Sequence, residues 1–147
     1  TSDYTTIQAI TGSKVLSNSK TYYVMDYGSK QDYFRVASNG DIYAWKTNSF
    51  NDLGTAESIF LPANPVVGTM WRDPYFLPDS LVVKATDAVL ICANGCSYTG
   101  LLKIDTYSYG NYYETLYFKK GLGKVQQSST GILGYKKYIT AINLSLK

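Results

Sequence analysis

Short runs of β-forming residues, each cut off by a glycine- or asparagine-bearing turn, recur along the whole 147-residue chain. Tyr4 to Thr11 (YTTIQAIT) ends at Gly12-Ser13, and Lys20 to Tyr27 (KTYYVMDY) ends at Gly28-Ser29. Asp32 to Ala37 and Asp41 to Lys46 flank Ser38-Asn39-Gly40, the clearest hairpin in the chain. Ser80 to Cys92 and Cys96 to Tyr107 form another, with Gly110-Asn111 separating the latter from Tyr112 to Lys119. Val125 to Ser128 and Tyr135 to Leu146 complete the set. A period of two places alternate side chains on opposite faces, so runs of this length build sheets and not helices. The pattern predicts one all-β domain over residues 1–147, with eight to ten mostly meander-connected strands. They form a single antiparallel sheet curved into a half-barrel or folded into a sandwich.

Between Thr47 and Asp79 the pattern loosens, and all four prolines fall there (Pro62, Pro65, Pro74, Pro78). Asn51 to Ile59 admits one short helical turn capped by Asp52, against the disfavouring Gly54. No apolar run approaches the roughly 18 residues of a membrane span, so no transmembrane segment is expected. Without an initiator methionine or a signal peptide, Thr1 reads as a processed or artificially set start.

The chain has no histidine and fifteen tyrosines. Without histidine neither a Ser-His-Asp nor a Cys-His arrangement can form, and the commonest general base and metal ligand are missing. Neither a metal nor another cofactor is implied. The nine aspartates sit mostly beside turn signals, where Asp is favoured for backbone reasons, and Glu57 and Glu114 are the only glutamates. A glycosidase-like carboxylate pair is the one enzymatic alternative. Lys120-Gly121-Leu122-Gly123-Lys124 lacks phosphate-loop spacing and reads as a tight turn or bulge.

Cys92 and Cys96 bracket Ala93-Asn94-Gly95, a strong hairpin turn, and read as a disulfide pinching its tip; a pair of metal thiolates would need further ligands. A disulfide places the chain in an oxidising compartment: extracellular, cell-surface or periplasmic. The net charge of +3 is too small to argue for nucleic acid. After Glu114 the charged residues are all lysines: 119, 120, 124, 136, 137 and 147. They read as edge-blocking lysines, or as a surface for an acidic polymer or phosphate head groups.

The tyrosines carry the functional reading. Tyr107, Tyr109, Tyr112, Tyr113 and Tyr117 cluster within eleven positions, and Tyr113, Thr115 and Tyr117 share a face opposite Tyr112, Glu114, Leu116 and Phe118. Tyr107, Tyr109, Tyr113, Tyr117, Trp45 and Trp71 are the candidate contact surface; cross-strand packing, with the tryptophans in the core or as a lid, is the alternative role. The function expected is non-catalytic protein–protein association. It includes self-assembly, with Thr1 to Thr11 or Tyr135 to Lys147 pairing as strands with a neighbour. A module binding glycans or apolar ligands through exposed Tyr and Trp is the second reading. Asn143-Leu144-Ser145 is a glycosylation sequon where the source glycosylates asparagine.

The stretch KTYYVMDY…DYFRVASNGDIYAWK resembles a pattern in which a "TYY" strand leads to a "YYRVD-NGDVY" hairpin. Val67-Gly68-Thr69-Met70-Trp71 resembles the "VGTTW" segment of the same sequences, and Tyr117 to Val125 their "YYAKGVGLVK" segment. They are a poorly characterised group of bacterial secreted proteins and lipoproteins. The resemblance runs from about Thr21 to Val125 and implies a curved antiparallel sheet on an exported or envelope-anchored protein. It brings no assigned activity. The lipid-attachment cysteine and the strand segment preceding it have no counterpart, nor does the group share the cysteine hairpin.

Overall fold

The computed structural model describes residues 4–26, 30–45, 57–72, 80–91, 95, 97–120, 122–129 and 136–141. Among these, every regular element is a strand: β1 (Tyr4–Val15), β2 (Thr21–Asp26), β3 (Gln31–Val36), β4 (Ile42–Trp45), β5 (Ser58–Leu61), β6 (Met70–Trp71), β7 (Ser80–Ile91), β8 (Ser97–Ser108), β9 (Asn111–Lys119), β10 (Gly123–Ser129) and β11 (Lys136–Ala141). Of the short helical turn expected between Asn51 and Ile59, Ser58 and Ile59 lie in β5, and residues 51–56 fall outside the described set.

The strands form one ladder in the order β5-β4-β3-β2-β1-β11-β10-β9-β8-β7-β6, not closed into a barrel. Two antiparallel meanders, β1–β5 and β6–β11, meet at β1 and β11, which run parallel with Tyr4 opposite Lys137 and Gln8 opposite Ala141. The terminal strands read from sequence as partners for a neighbouring subunit therefore pair with each other. β1 turns its first half to β11 and its second half to β2, and β11 takes β10 on its other side. Tyr4–Gln8 thus find their partner in β11 and Ala9–Val15 theirs in β2, within the same chain. Among the described residues the outermost strands are β5 and β6, four and two residues long, a length that discourages edge-to-edge pairing.

Register and parity put two core clusters on opposite faces of the first meander. Val24, Tyr33 and Trp45 stand opposite one another in neighbouring strands and share a face with Tyr22. Together with Leu16 they are buried, and Tyr22 meets Trp45 edge-on at 5.9 Å. The reverse face carries Phe34 opposite Ala44. There Phe34, Phe60 and Phe118 form an edge-to-face run at 4.9 and 5.7 Å, joining the two meanders. Leu81, Val83, Ile104, Leu116 and Phe118 fill that inter-sheet core, with Phe60, Leu61, Trp71 and Leu102 against it. The sheet is thus folded into a sandwich, one of the two forms the strand pattern allows.

The β3–β4 turn follows its sequence signal closely. Gly40 takes φ +89°, Gly40 N–H donates to the Ala37 carbonyl, and the Asn39 side chain accepts from Asp41 N–H. Asp41 in turn accepts from Ala63 N–H at 2.8 Å, which seats the connection leading to β6.

Candidate functional site

The outer face of β7–β9 is where the candidate tyrosines meet. In β8 and β9, Ile104 and Leu116 alternate inward, so their sequence neighbours point out. That places Lys103 beside Tyr117 and Asp105 beside Thr115. The register slips between Thr106 and Tyr107, so that Glu114 opposes Thr106 and Tyr112 opposes Tyr107, with Tyr113 as the extra residue. A bulge of this kind re-aims a side chain. Tyr112, which simple alternation places opposite Tyr113, instead meets Tyr107 edge-on at 6.3 Å, and its hydroxyl lies 2.8 Å from Thr115 Oγ1. Thr115 donates to Asp105 Oδ1 at 2.6 Å, so the Tyr112 hydroxyl donates to Thr115 and a hydroxyl relay ends on a carboxylate.

Lys84 completes the face, its Nζ 5.5 Å from the centre of the Tyr107 ring. A hydrogen bond to the Tyr107 side chain, with smaller help from the charges of Tyr107 and Asp105, holds the Lys84 ammonium above its ordinary pKa. At the end of the face the β8–β9 turn is Tyr109-Gly110, both with positive φ (49° and 75°). The sequence signal pointed to Gly110-Asn111; Asn111 instead opens β9 and its side-chain amide donates to the Tyr109 carbonyl. A two-residue turn with both positions left-handed matches the twist of the strands, and Tyr109 accepts the strain while standing 79% exposed.

Four of the six candidate contact residues therefore fall on this face or its tip: Tyr107, Tyr109, Tyr113 and Tyr117. The two tryptophans do not. Trp45 is 4% exposed and locked against Tyr22 in the first core cluster, so burial removes it from any contact surface. Trp71 is half-buried against the inter-sheet core, with its Nε1 shielded from solvent. Cys92 and Cys96 lie outside the described residues. Lys84, Asp105, Tyr112 and Thr115 join the site unannounced, because a bulge and cross-strand register leave no trace in the local pattern.

A second polar constellation was equally illegible. Glu57, just before β5, accepts from Arg35 Nε at 2.6 Å and from the other guanidinium arm, from Lys20 Nζ, and from the Tyr22 hydroxyl at 2.6 Å. Arg35 lies 4.4 Å from the Tyr43 ring centre. The hydrogen bonds from Arg35 pull the Glu57 carboxyl down to about 2, against its burial, with Lys20 and Tyr22 adding to the effect. The same contacts hold Arg35 above its ordinary value, while burial and then Glu57 push the Tyr22 phenol up. A carboxylate kept ionised and enclosed by three donor side chains ties strands together and has no proton to give as a general acid. Glu114, the other glutamate, is buried in β9 with Gln127 donating to it. A lone arginine inside a strand run was the available hint, since a charge there needs a partner.

Among the described residues, no group of three or more His, Cys, Asp or Glu is placed to hold a metal ion, and no helix is long and apolar enough to cross a membrane. No family model, curated protein or solved structure matches the chain.

Proposed function

We propose that this chain is a non-catalytic β-domain of the extracellular space or cell envelope that works by protein–protein association, its own copies included. The contact is the tyrosine–lysine face of β7–β9. One observation carries this reading: Tyr107, Tyr112, Tyr113 and Tyr117 converge with Lys84 on one outward sheet face, with Tyr109 displayed at its tip in a strained backbone. Tyrosine supplies broad contact area with few rotatable bonds, and strain in an exposed turn residue is typical of positions kept for contact. Residues 4–8 and 137–141 of the terminal strands pair with each other, which favours the face as the contact. The test is sedimentation velocity over a wide concentration range, with capture from envelope extracts, on wild type and on Y109A/Y113A/Y117A. Association that the triple variant loses supports the reading. Identical behaviour of the two proteins refutes it.

The hydroxyl relay favours a second reading, glycan binding. Tyr107 offers a ring, and Tyr112, Thr115 and Asp105 offer hydroxyls and a carboxylate beside it. A glycan array decides between the two: saturable hits abolished by D105N favour sugar, and an empty array leaves protein contact.

A further inference from the structure

The opposite end of the second meander is built differently. β7 and β8 pair out to Ile91–Ser97, whereas β9 supports β8 only as far as Leu101, which faces Lys119. On the other side, β6 and the two residues before it reach Leu81, Val82 and Val83. Beyond Ala88, which faces Leu101, β7 and β8 pair only with each other among the described residues and form a two-stranded arm. Ile91 lies three residues, about 10 Å, further out than that row. Val89 and Ile91 share one face of the arm and are 59% and 74% exposed, while Leu90 and Tyr98 face each other across it. From Ala88 to Gly100 the sequence has no charged residue. An isolated two-stranded ribbon showing β-branched side chains to water is costly unless something covers it.

The base of the arm carries the charge. Lys119 sits in the row of Leu101 and Ala88, its Nζ donating to the Thr99 carbonyl of the arm itself. The β9–β10 turn adds the exposed Lys120 and the half-buried Leu122, while Lys124, already in β10, donates to Gln127. Asp87 is the one acid beside them on β7. Asp105, opposite Thr115, lies toward the far end of β8.

We propose that the β7–β8 arm lays the exposed Val89 and Ile91 into an anionic lipid surface, with Lys119 and Lys120 at the level of the lipid phosphates. The spacing fits. Ile91, about 10 Å beyond the row of Lys119, matches the depth to which interfacial apolar faces enter the headgroup–acyl boundary. Tyr98 lies between the two levels, where an amphipathic ring is favoured. Charge complementarity selects the surface, because lysines near an anionic leaflet each strengthen partition about fivefold. This proposal is independent of the tyrosine face, which occupies the other end of the same strands.

Co-sedimentation with vesicles of phosphatidylcholine alone, or mixed with phosphatidylglycerol, tests it. The wild type is expected to pellet with the anionic vesicles and to stay soluble with neutral ones. Val89→Ser with Ile91→Ser should weaken binding about tenfold or more. Lys119→Gln with Lys120→Gln should weaken it roughly twentyfold at low salt, and the difference should shrink at high salt. Asp87→Asn should strengthen it. The tip substitutions are at exposed positions and should leave the melting temperature unchanged. Equal pelleting with neutral vesicles, no pelleting at all, or indifference to the tip substitutions overturns the proposal. Full competition by free glycerol phosphate would overturn it in favour of a discrete phosphate site. An oligomer that only the tip substitutions dissociate, with no vesicle binding, would make the arm a protein contact instead.

Discussion

Replacing Glu57 by glutamine removes one charge from a network joining Lys20, Tyr22, Arg35 and the start of β5, and its cost can be worked from the geometry. The Glu57 carboxyl falls from 4.5 to about 2 on folding, which corresponds to a ceiling of about 3 kcal/mol of ionisation-linked stability. Glu57 and Arg35 side chains are only 16% and 17% exposed, whereas Lys20 is 47% exposed. Solvent screening of the Lys20 arm, and one hydrogen bond that the amide can still accept, lower the expected loss to about 2 kcal/mol. In a chain of this size that lowers Tm by about 4–8 °C. A depressed carboxyl pKa stabilises the fold above the unfolded value and loses that contribution as pH falls through the folded one. The gap between wild type and E57Q should therefore be full at pH 7, begin to close below about 4.5 and be nearly gone at about 2. Urea unfolding followed by tryptophan fluorescence at a series of pH values measures it, with Trp45 against Tyr22 as the local reporter. A gap that stays constant down to the acid end would show that the ionised carboxylate does not hold these strands, and would refute the reasoning.

Tyr109→Gly should raise stability by about 1 kcal/mol, because φ 49° suits glycine and strains tyrosine. It should also weaken whatever the face binds, so calorimetry and a binding assay should move in opposite directions. Phe60→Ala should cost about 2–4 kcal/mol, since Phe60 bridges Phe34 and Phe118 and is only partly buried; chemical denaturation reads the loss directly. Gly40→Ala should cost about 1–2 kcal/mol, because φ is +89° and the new methyl would lie 3.1 Å from the Ala63 Cβ. A thermal melt unchanged from wild type would contradict that turn geometry.

Local signals carried the strand inventory well. The Ser38-Asn39-Gly40 hairpin, the paired runs meeting near Cys92 and Cys96, and the inward alternation of Leu116 and Phe118 all follow from turn chemistry and a period of two. Where alternation broke down, a bulge was the cause. Tyr112 changes face because Tyr113 is an extra residue against Tyr107, and an inserted residue looks like any other in sequence. The β8–β9 turn moved by one position for a related reason. Strand twist demands two left-handed residues, and Tyr109 is driven there by the pairing on either side.

Although β5, β6 and the run of β1 past Gly12 were not legible, the amino-acid order alone showed that the chain is all-β, where its β3–β4 and β7–β8 hairpins lie and that histidine-based chemistry is absent. Those properties are local: they depend on side-chain shape and backbone preference within a few residues. The folded arrangement set that β1 pairs with β11, that Trp45 is core and that Glu57 is caged by Arg35, Lys20 and Tyr22. It also set which tyrosines look outward and left Val89 and Ile91 exposed beyond the row of Lys119. Each of those depends on register between strands far apart in sequence, which is set by how the two meanders bury their apolar faces together.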